Sequence, residues 1–179
     1  NTEEFYKFYK DKMNSLKYQP NITHKKLAEW ENAGKLNAVV TQNIDGLHQK
    51  AGSKKVYELH GSVLRNYCMK CHKFYDAEFV FNSKDVPTCE CGGIIKPDVV
   101  LYEEPLNEET MMKAIVAISQ ADMLIVGGTS LTVQPASSLI NYYQGKKLVL
   151  INKDTTSYDN IANLVINDGL GKVLNHCKL

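Results

Sequence analysis

No run of apolar residues in this chain of 179 residues approaches the roughly 20 that a membrane helix needs, so a helical membrane span is excluded. A surplus of either charge is also missing. Lys+Arg number 21 and Asp+Glu 20, for a net charge of +1. Without a basic excess there is no electrostatic footprint for tracking a phosphate backbone, which argues against nucleic-acid binding as the main task. The opening residues, Asn1-Thr2-Glu3-Glu4-Phe5, are polar and acidic and do not read as a signal peptide. No G-x-G-x-x-G occurs, so the usual dinucleotide fingerprint is absent. Internal repeats, low-complexity tracts and linkers are missing too.

What is there reads as a globular domain, or one domain with a small insert: 44% of residues are hydrophobic and 23% charged. A first helix is expected from Thr2 as cap, with Phe5, Phe8, Tyr9, Met13 and Leu16 on one face and Pro20 beyond its end. Thr23 is expected to cap a second helix, His24 to Ala33, closed by Gly34, with Leu27 and Trp30 in the core. A short strand, 37–41, ends in the polar run Gln42-Asn43-Ile44-Asp45-Gly46. Further strands are expected at 98–102, 123–126, 148–151 and 164–166. They alternate with a helix capped by Asn107, a helical stretch over 135–143 and a short last helix. Continuous apolar strands alternating with helices predict an α/β fold, a Rossmann-like doubly wound parallel sheet covered on both faces. Residues 67–97 differ in character and read as a small inserted module, leaving 1–66 and 98–179 for the sheet domain.

Four of the five cysteines define that insert. Cys68-x-x-Cys71, 17 residues, then Cys89-x-Cys91 is the spacing of a four-thiolate zinc site, with Gly92-Gly93 suited to the second tight turn. A closed set of four ligands leaves no position for water, so such a metal is structural. Two disulfides or four unrelated buried cysteines are the competing readings, and clustered thiols in a reducing compartment, the cytoplasm, fit the metal better. Cys177 stands apart.

Three strands end in small or polar residues: at 41–45, at Gly127-Gly128-Thr129-Ser130 and at Asn152-Lys153-Asp154. In doubly wound sheets ligands bind beyond the carboxyl ends of strands. Paired glycines admit a phosphate to the backbone, and Asn and Asp suit ribose hydroxyls. Gly-Gly-Thr-Ser alone is a weak signal, because ordinary strand-ending turns look the same. His60, in Glu58-Leu59-His60-Gly61, is a candidate general base, although a lone histidine is more often structural. His48 reads as local support.

In this order the pieces resemble the sirtuin family of NAD-dependent protein-lysine deacylases. The matching stretches are Thr41 to His48 with Ala51-Gly52, then Glu58-Leu59-His60-Gly61, then the four cysteines. Lys96 to Tyr102 with Glu104, Gly128 to Leu131 with Val133 and Pro135-Ala136, and Ile151-Asn152 complete the set, so the likeness spans almost the whole chain. The compact length and the Cys-x-Cys pair resemble a bacterial member.

The resemblance implies roles position by position. Gln42, Asn43, Ile44 and Asp45 match residues lining the nicotinamide–ribose region of NAD+, with Asn43 and Asp45 orienting the ribose and a reactive water. Gly128, Thr129 and Ser130 match the turn that meets phosphate and ribose. Asn152, Lys153 and Asp154 match the adenosine ribose site, and Gly169-Leu170 a backbone contact to adenine. Val99, Val100 and Leu101 match the segment that pairs with the substrate peptide as an added strand. His60 matches the catalytic base: after the acyl oxygen displaces nicotinamide from the ribose, it takes a ribose hydroxyl proton. Free lysine and O-acyl-ADP-ribose follow. Acylated-lysine proteins or peptides and NAD+ are therefore the expected partners, with one Zn2+ per chain.

Two departures stand out. The family pattern has glycine where this chain has Glu103. It also begins with a strand, a Gly-Ala-Gly turn and a Gly-Ile-Pro-Asp-Phe-Arg loop, whereas Asn1 to Tyr18 aligns with the helix after them. The resemblance thus implies that an N-terminal strand and most of a diphosphate cradle precede Asn1. An NAD-binding ADP-ribosyltransferase and a non-enzymatic zinc-ribbon interaction module are the alternative functions.

Overall fold

The computed structural model describes residues 1–178. Its elements run α1 (Thr2–Lys12), α2 (Ile22–Asn32), β1 (Val39–Thr41), α3 (Leu47–Lys50), β2 (Val56–Glu58), β3 (Gly61–Cys68), β4 (Phe74–Asp76) and α4 (Ala77–Asn82). They continue with β5 (Ile95–Val99), α5 (Glu108–Ser119), β6 (Leu124–Gly127), β7 (Leu148–Ile151), β8 (Leu164–Ile166) and α6 (Leu170–His176). The stretch Ala136–Tyr142 is a 3-10 helix. The chain divides into two compact units. The first holds 1–19, 43–47 and 60–106, and the second holds 20–42, 48–59 and 107–179.

The second unit is the parallel α/β part. β1 pairs with β2, and β6, β7 and β8 pair in that order, every pairing parallel. The alternation of apolar strands with helices therefore produces the expected sheet type. One face of β6-β7-β8 packs Leu148, Leu150, Leu131 and Ile140, with Leu124, Val126 and Val165 against them. Asn107 caps α5 by accepting from the Thr110 amide, as its Asn-Glu-Glu start predicts. The cap of α2 is different from the expected one. Asn21, two residues before Thr23, accepts from the His24 amide, and the His24 ring accepts from the Asn21 amide in return. A reciprocal pair satisfies two otherwise orphaned donors, which a lone Thr23 hydroxyl cannot do. Gly34, at φ +69°, closes that helix as predicted.

The first unit is an antiparallel sheet, ordered β4-β3-β5, carrying the four cysteines. Its core gathers Tyr9, Val63, Cys68, Val80, Cys89, Ile95 and Val99. Asn1, not Thr2, caps α1. The buried face of α1 is Tyr6 and Tyr9, with Phe5 and Met13 beside it. Phe8 is 56% exposed and Leu16, 37% exposed, lies beyond the helix, so Phe5, Tyr9 and Met13 of the predicted stripe hold and Tyr6 takes the place of Phe8. Tyr9 stacks between Phe5 and Phe81, and the Tyr6 hydroxyl donates to the Ile95 carbonyl at 2.5 Å. Tyr6, which also meets the Phe5 and Tyr9 rings edge-on, is thereby buried where Phe8 is not, each such ring contact being worth about 0.5–1.5 kcal/mol. The strand expected at 98–102 lies earlier, at 95–99, because the chain turns at Tyr102 and Glu103.

Candidate functional site

The four cysteine sulfurs lie within 4.8 Å of one another. Cys68 and Cys91 are 3.4 Å apart and Cys71 and Cys89 3.6 Å, against about 3.8 Å for ligands held 2.3 Å from a tetrahedral zinc. The turn geometry explains the glycines. Gly92 sits at φ +79°, and a Cβ on Gly93 would come within 2.6 Å of the Cys68 sulfur. The Lys70 and Cys71 amides donate to Cys68, at 3.3 and 3.5 Å. The Tyr75 hydroxyl donates to Cys89 at 3.1 Å, and that donor, followed by the Cys91 amide, lowers the Cys89 thiol to about 6. The Gly93 amide favours a thiolate at Cys91. The neighbouring sulfurs of Cys71, Cys68 and Cys89 outweigh it and push Cys91 up to about 12. Thiols this close cannot all ionise without a cation among them, so the donor set fits Zn2+. None of the five cysteines forms a disulfide.

In the same unit, residues 43–47 are pinned to β3. The Val63 amide donates to the Ile44 carbonyl at 2.9 Å, and the Asp45 carboxylate accepts from the Leu47 amide at 2.9 Å. Gly46 has φ +69°, a conformation that favours glycine, and a Cβ there would also push against the Leu64 side chain. Asn43 is exposed and Asp45 half-buried. His60 is half-buried at the start of β3, and its carbonyl accepts from the Val100 amide at 3.0 Å. Gly61 has φ +76°, and a side chain there would run into the Asp98 carbonyl. Glycine directly after His60 is therefore a demand of packing. β5 is an edge strand; Val99 ends it opposite Gly61, and Val100 and Leu101 follow directly, with Val100 bonded to the His60 carbonyl.

In the second unit, a cavity of about 230 Å3 is lined by Gly128, Ile151, Asn152, Lys153, Asp154, Asp168, Gly169 and Leu170. It lies beyond the carboxyl ends of β6 and β7, where open parallel sheets bind ligands. Gly128, at φ +66°, donates its amide to the Ile151 carbonyl, and a Cβ on Gly127 would come within 2.7 Å of Leu170. Six predicted residues, Gly128, Asn152, Lys153, Asp154, Gly169 and Leu170, thus meet in one cavity. Thr129 and Ser130 follow it without lining it. The Thr129 hydroxyl accepts from the Leu131 amide, and the Ser130 and Thr132 hydroxyls share a bond of 2.7 Å. Asp168 was missed. Its signal was Asp168-Gly169 just before a helix, where a carboxylate meets free amides. Lys172, and then the Gly169 amide, hold its carboxyl below the usual range. Gln42, at the end of β1, is also in this unit and half-buried. His48 is buried edge-to-face on His24, with ring centroids 4.6 Å apart, which makes it local support. A larger, open concavity of about 450 Å3 runs beside α4, lined by Asp76, Glu78, Phe79, Asn82 and Ser83. It holds none of the predicted chemistry.

A parallel α/β unit with a ligand cavity at its strand ends, joined in one chain to a four-thiolate zinc module, defines the class. Residues 1–135 match the Sir2 family. The NAD-dependent protein deacetylase of Clostridium perfringens (strain 13 / Type A) is 64% identical over 174 residues, covering 96% of this chain and 71% of that protein. That of Clostridium tetani (strain Massachusetts / E88) is 58% identical over 175 residues, covering 97% and 71%. A solved structure described as Sir2-p53 peptide-NAD+ superimposes with a TM-score of 0.89 at 42% identity, covering 97% of this chain and 75% of that one. A second, of Sir2 with the inhibitor EX-527, 2'-O-acetyl-ADP-ribose and deacetylated p53 peptide, gives 0.90 at 43%, covering 97% and 77%. The chain belongs to the Sir2 family.

Proposed function

We propose that this protein is an NAD-dependent protein-lysine deacetylase that moves the acyl group to ADP-ribose and releases nicotinamide. The 64% identity, over nearly the whole chain, to a protein of that activity carries the reading. The geometry supports the roles. The cavity of the second unit takes the adenosine part of NAD+: Gly128 meets the phosphate with its backbone, Asn152 and Asp154 offer polar groups to ribose, and Leu170 an apolar wall. Gln42, with Asn43, Ile44 and Asp45 on the segment held to β3, serves the nicotinamide ribose. Thr129 and Ser130 add hydroxyl donors for phosphate and ribose.

NAD+ supplies a sugar carbon whose bond to nicotinamide breaks as the acyl oxygen attacks. His60, anchored through its backbone to Val100, takes a proton from a ribose hydroxyl at its ring nitrogen. Asp45 and Asn43 orient the sugar and a water. The peptide adds as a strand along Val99, Val100 and Leu101, the free edge of the β4-β3-β5 sheet. By function, 67–97 are read as the zinc module, supported by the closed four-sulfur cluster, and 1–66 with 98–179 as the NAD-binding domain, although by contacts 1–19, 43–47, 60–66 and 98–106 pack in the unit that holds the cluster. A cluster of reduced thiols also supports a cytoplasmic location.

The test is deacetylation of an acetyl-lysine peptide with and without NAD+. Wild-type protein should show NAD-dependent loss of the acetyl group and release nicotinamide. His60→Ala should lower turnover by about 10²–10⁴-fold while NAD+ still binds. Near-normal turnover in that variant would remove His60 from the mechanism, and no turnover of any acyl peptide by the wild type would overturn the reading.

A further inference from the structure

Residues 101–104 form a tight turn at the end of β5. The Glu104 amide donates to the Leu101 carbonyl at 3.1 Å, and the Leu101 amide donates to the Glu104 carboxylate at 3.0 Å. Glu103 occupies the third position at φ +71°, which favours glycine in such a turn. Tyr102 before it is fully solvated. The turn therefore keeps a charged side chain at a place where the backbone resists one.

Three carboxylates border the edge segment, and their surroundings differ. Asp98 is paired with Arg65 at 2.8 Å, and Glu104 with Lys96 at 3.1 Å. Glu104 is also tied into the turn, and its carboxyl is held below the usual range by the Leu101 amide and then by Lys96. Glu103 has no cationic partner among the described residues and is exposed to solvent. Its charge is the uncompensated one on this edge.

We propose that Glu103 is a specificity-determining residue that favours acyl-lysine peptides carrying Lys or Arg close to the acylated position. The proposal rests on the reading of 99–101 as the peptide-pairing edge. A strand laid along that edge meets the turn at its end, so a cationic side chain within a few residues of the acyl-lysine reaches Glu103 without disturbing the two local ion pairs. A peptide with Asp or Glu there meets an unneutralised like charge. The pair is exposed, so the preference is modest and sensitive to salt.

The experiment compares two acetyl-lysine peptides that differ only in flanking Lys/Arg against flanking Glu. Both kcat/KM and peptide binding by fluorescence anisotropy are measured, at low and at high salt, with the full chain. At low salt the wild type should prefer the basic peptide about 3- to 10-fold in both readouts, and high salt should shrink the ratio. Glu103→Gln, which keeps a side chain at the strained position, should bring the ratio to about one, and Glu103→Lys should invert it. A wild type indifferent to the flanking charge, or a ratio unchanged in both variants, would overturn the proposal and leave the deacetylase reading standing. Binding that keeps the charge preference without turnover of either peptide would overturn the deacetylase reading and support the role of Glu103. Failure to bind either peptide would overturn both.

Discussion

The thiolate cluster and the Gly128–Leu170 cavity are assembled in opposite ways. The cluster draws its four ligands from 24 consecutive positions and closes them with two tight turns and an antiparallel sheet. The cavity draws its lining from three separate stretches, at 128, 151–154 and 168–170, which only the parallel pairing of β6, β7 and β8 brings together. A local site of this kind is a matter of spacing, because short loops restrict where ligands can go. A site at strand ends depends on register, because sliding β7 by one residue would turn Ile151 and Asn152 to opposite faces.

The comparison breaks most sharply at the cluster. Cys89→Ala should abolish zinc binding, measured as metal per chain, and remove most of the roughly 10 kcal/mol by which a structural zinc couples to the folding of such a module. Retained metal with unchanged melting would contradict a four-thiolate site. Tyr75→Phe is the next largest effect: loss of the hydroxyl that donates to Cys89 should weaken metal retention about tenfold, read as zinc transfer to a chelator.

At the cavity the effects are smaller because packing there has some give. Gly127→Ala should cost about 1 kcal/mol of stability, since the new Cβ meets the flexible end of Leu170. The displaced Leu170 should weaken NAD+ binding several-fold by calorimetry while the zinc content stays at one. Smallest of all is the acid response of Asp168. Lys172 and the Gly169 amide depress its pKa, so its contribution to stability is present above the ordinary carboxylate value of 3.8 and is lost as pH falls below it. Asp168→Asn should flatten that loss in a melting series below about pH 4, and an unchanged series would show that the Lys172 pair contributes nothing.

The ranking of these expected effects mirrors what was readable in the residues. Cys68, Cys71, Cys89 and Cys91 declare their chemistry by spacing, and Asn107-Glu108-Glu109 declares a helix start, because both depend on neighbours a few positions away. The strand ends at Gly127-Gly128 and Asn152-Lys153-Asp154 were legible as ligand-facing, yet their convergence with Asp168 and Leu170 was not. The β3 strand, eight residues long, escaped periodicity because it carries Ser62, Arg65 and Asn66 among its apolar residues. Asn66 is nevertheless fully buried, and its amide donates to the Val63 and Tyr75 carbonyls. On α1, Phe5, Tyr9 and Met13 were legible but Tyr6 in place of Phe8 was not, since both are aromatic and the Tyr6 hydroxyl finds its partner, the Ile95 carbonyl, 89 positions away.

The sequence by itself determined the parallel α/β class, the zinc ligands, the candidate base His60 and the residue types at the strand ends. Each follows from local spacing, hydrophobic periodicity or the chemistry of a side chain. The tertiary structure decided which of those residues share a cavity, why Gly46, Gly61 and Gly93 are glycine, and that, of the carboxylates around the end of β5, Glu103 has no ion pair among the described residues. Those outcomes depend on contacts between residues remote in the chain. Close approach of Asp98 and Cys68 excludes a Cβ at Gly61 and Gly93, a positive φ selects glycine at 46, and Arg65 and Lys96 reach Asp98 and Glu104 and leave Glu103 without an ion pair among the described residues.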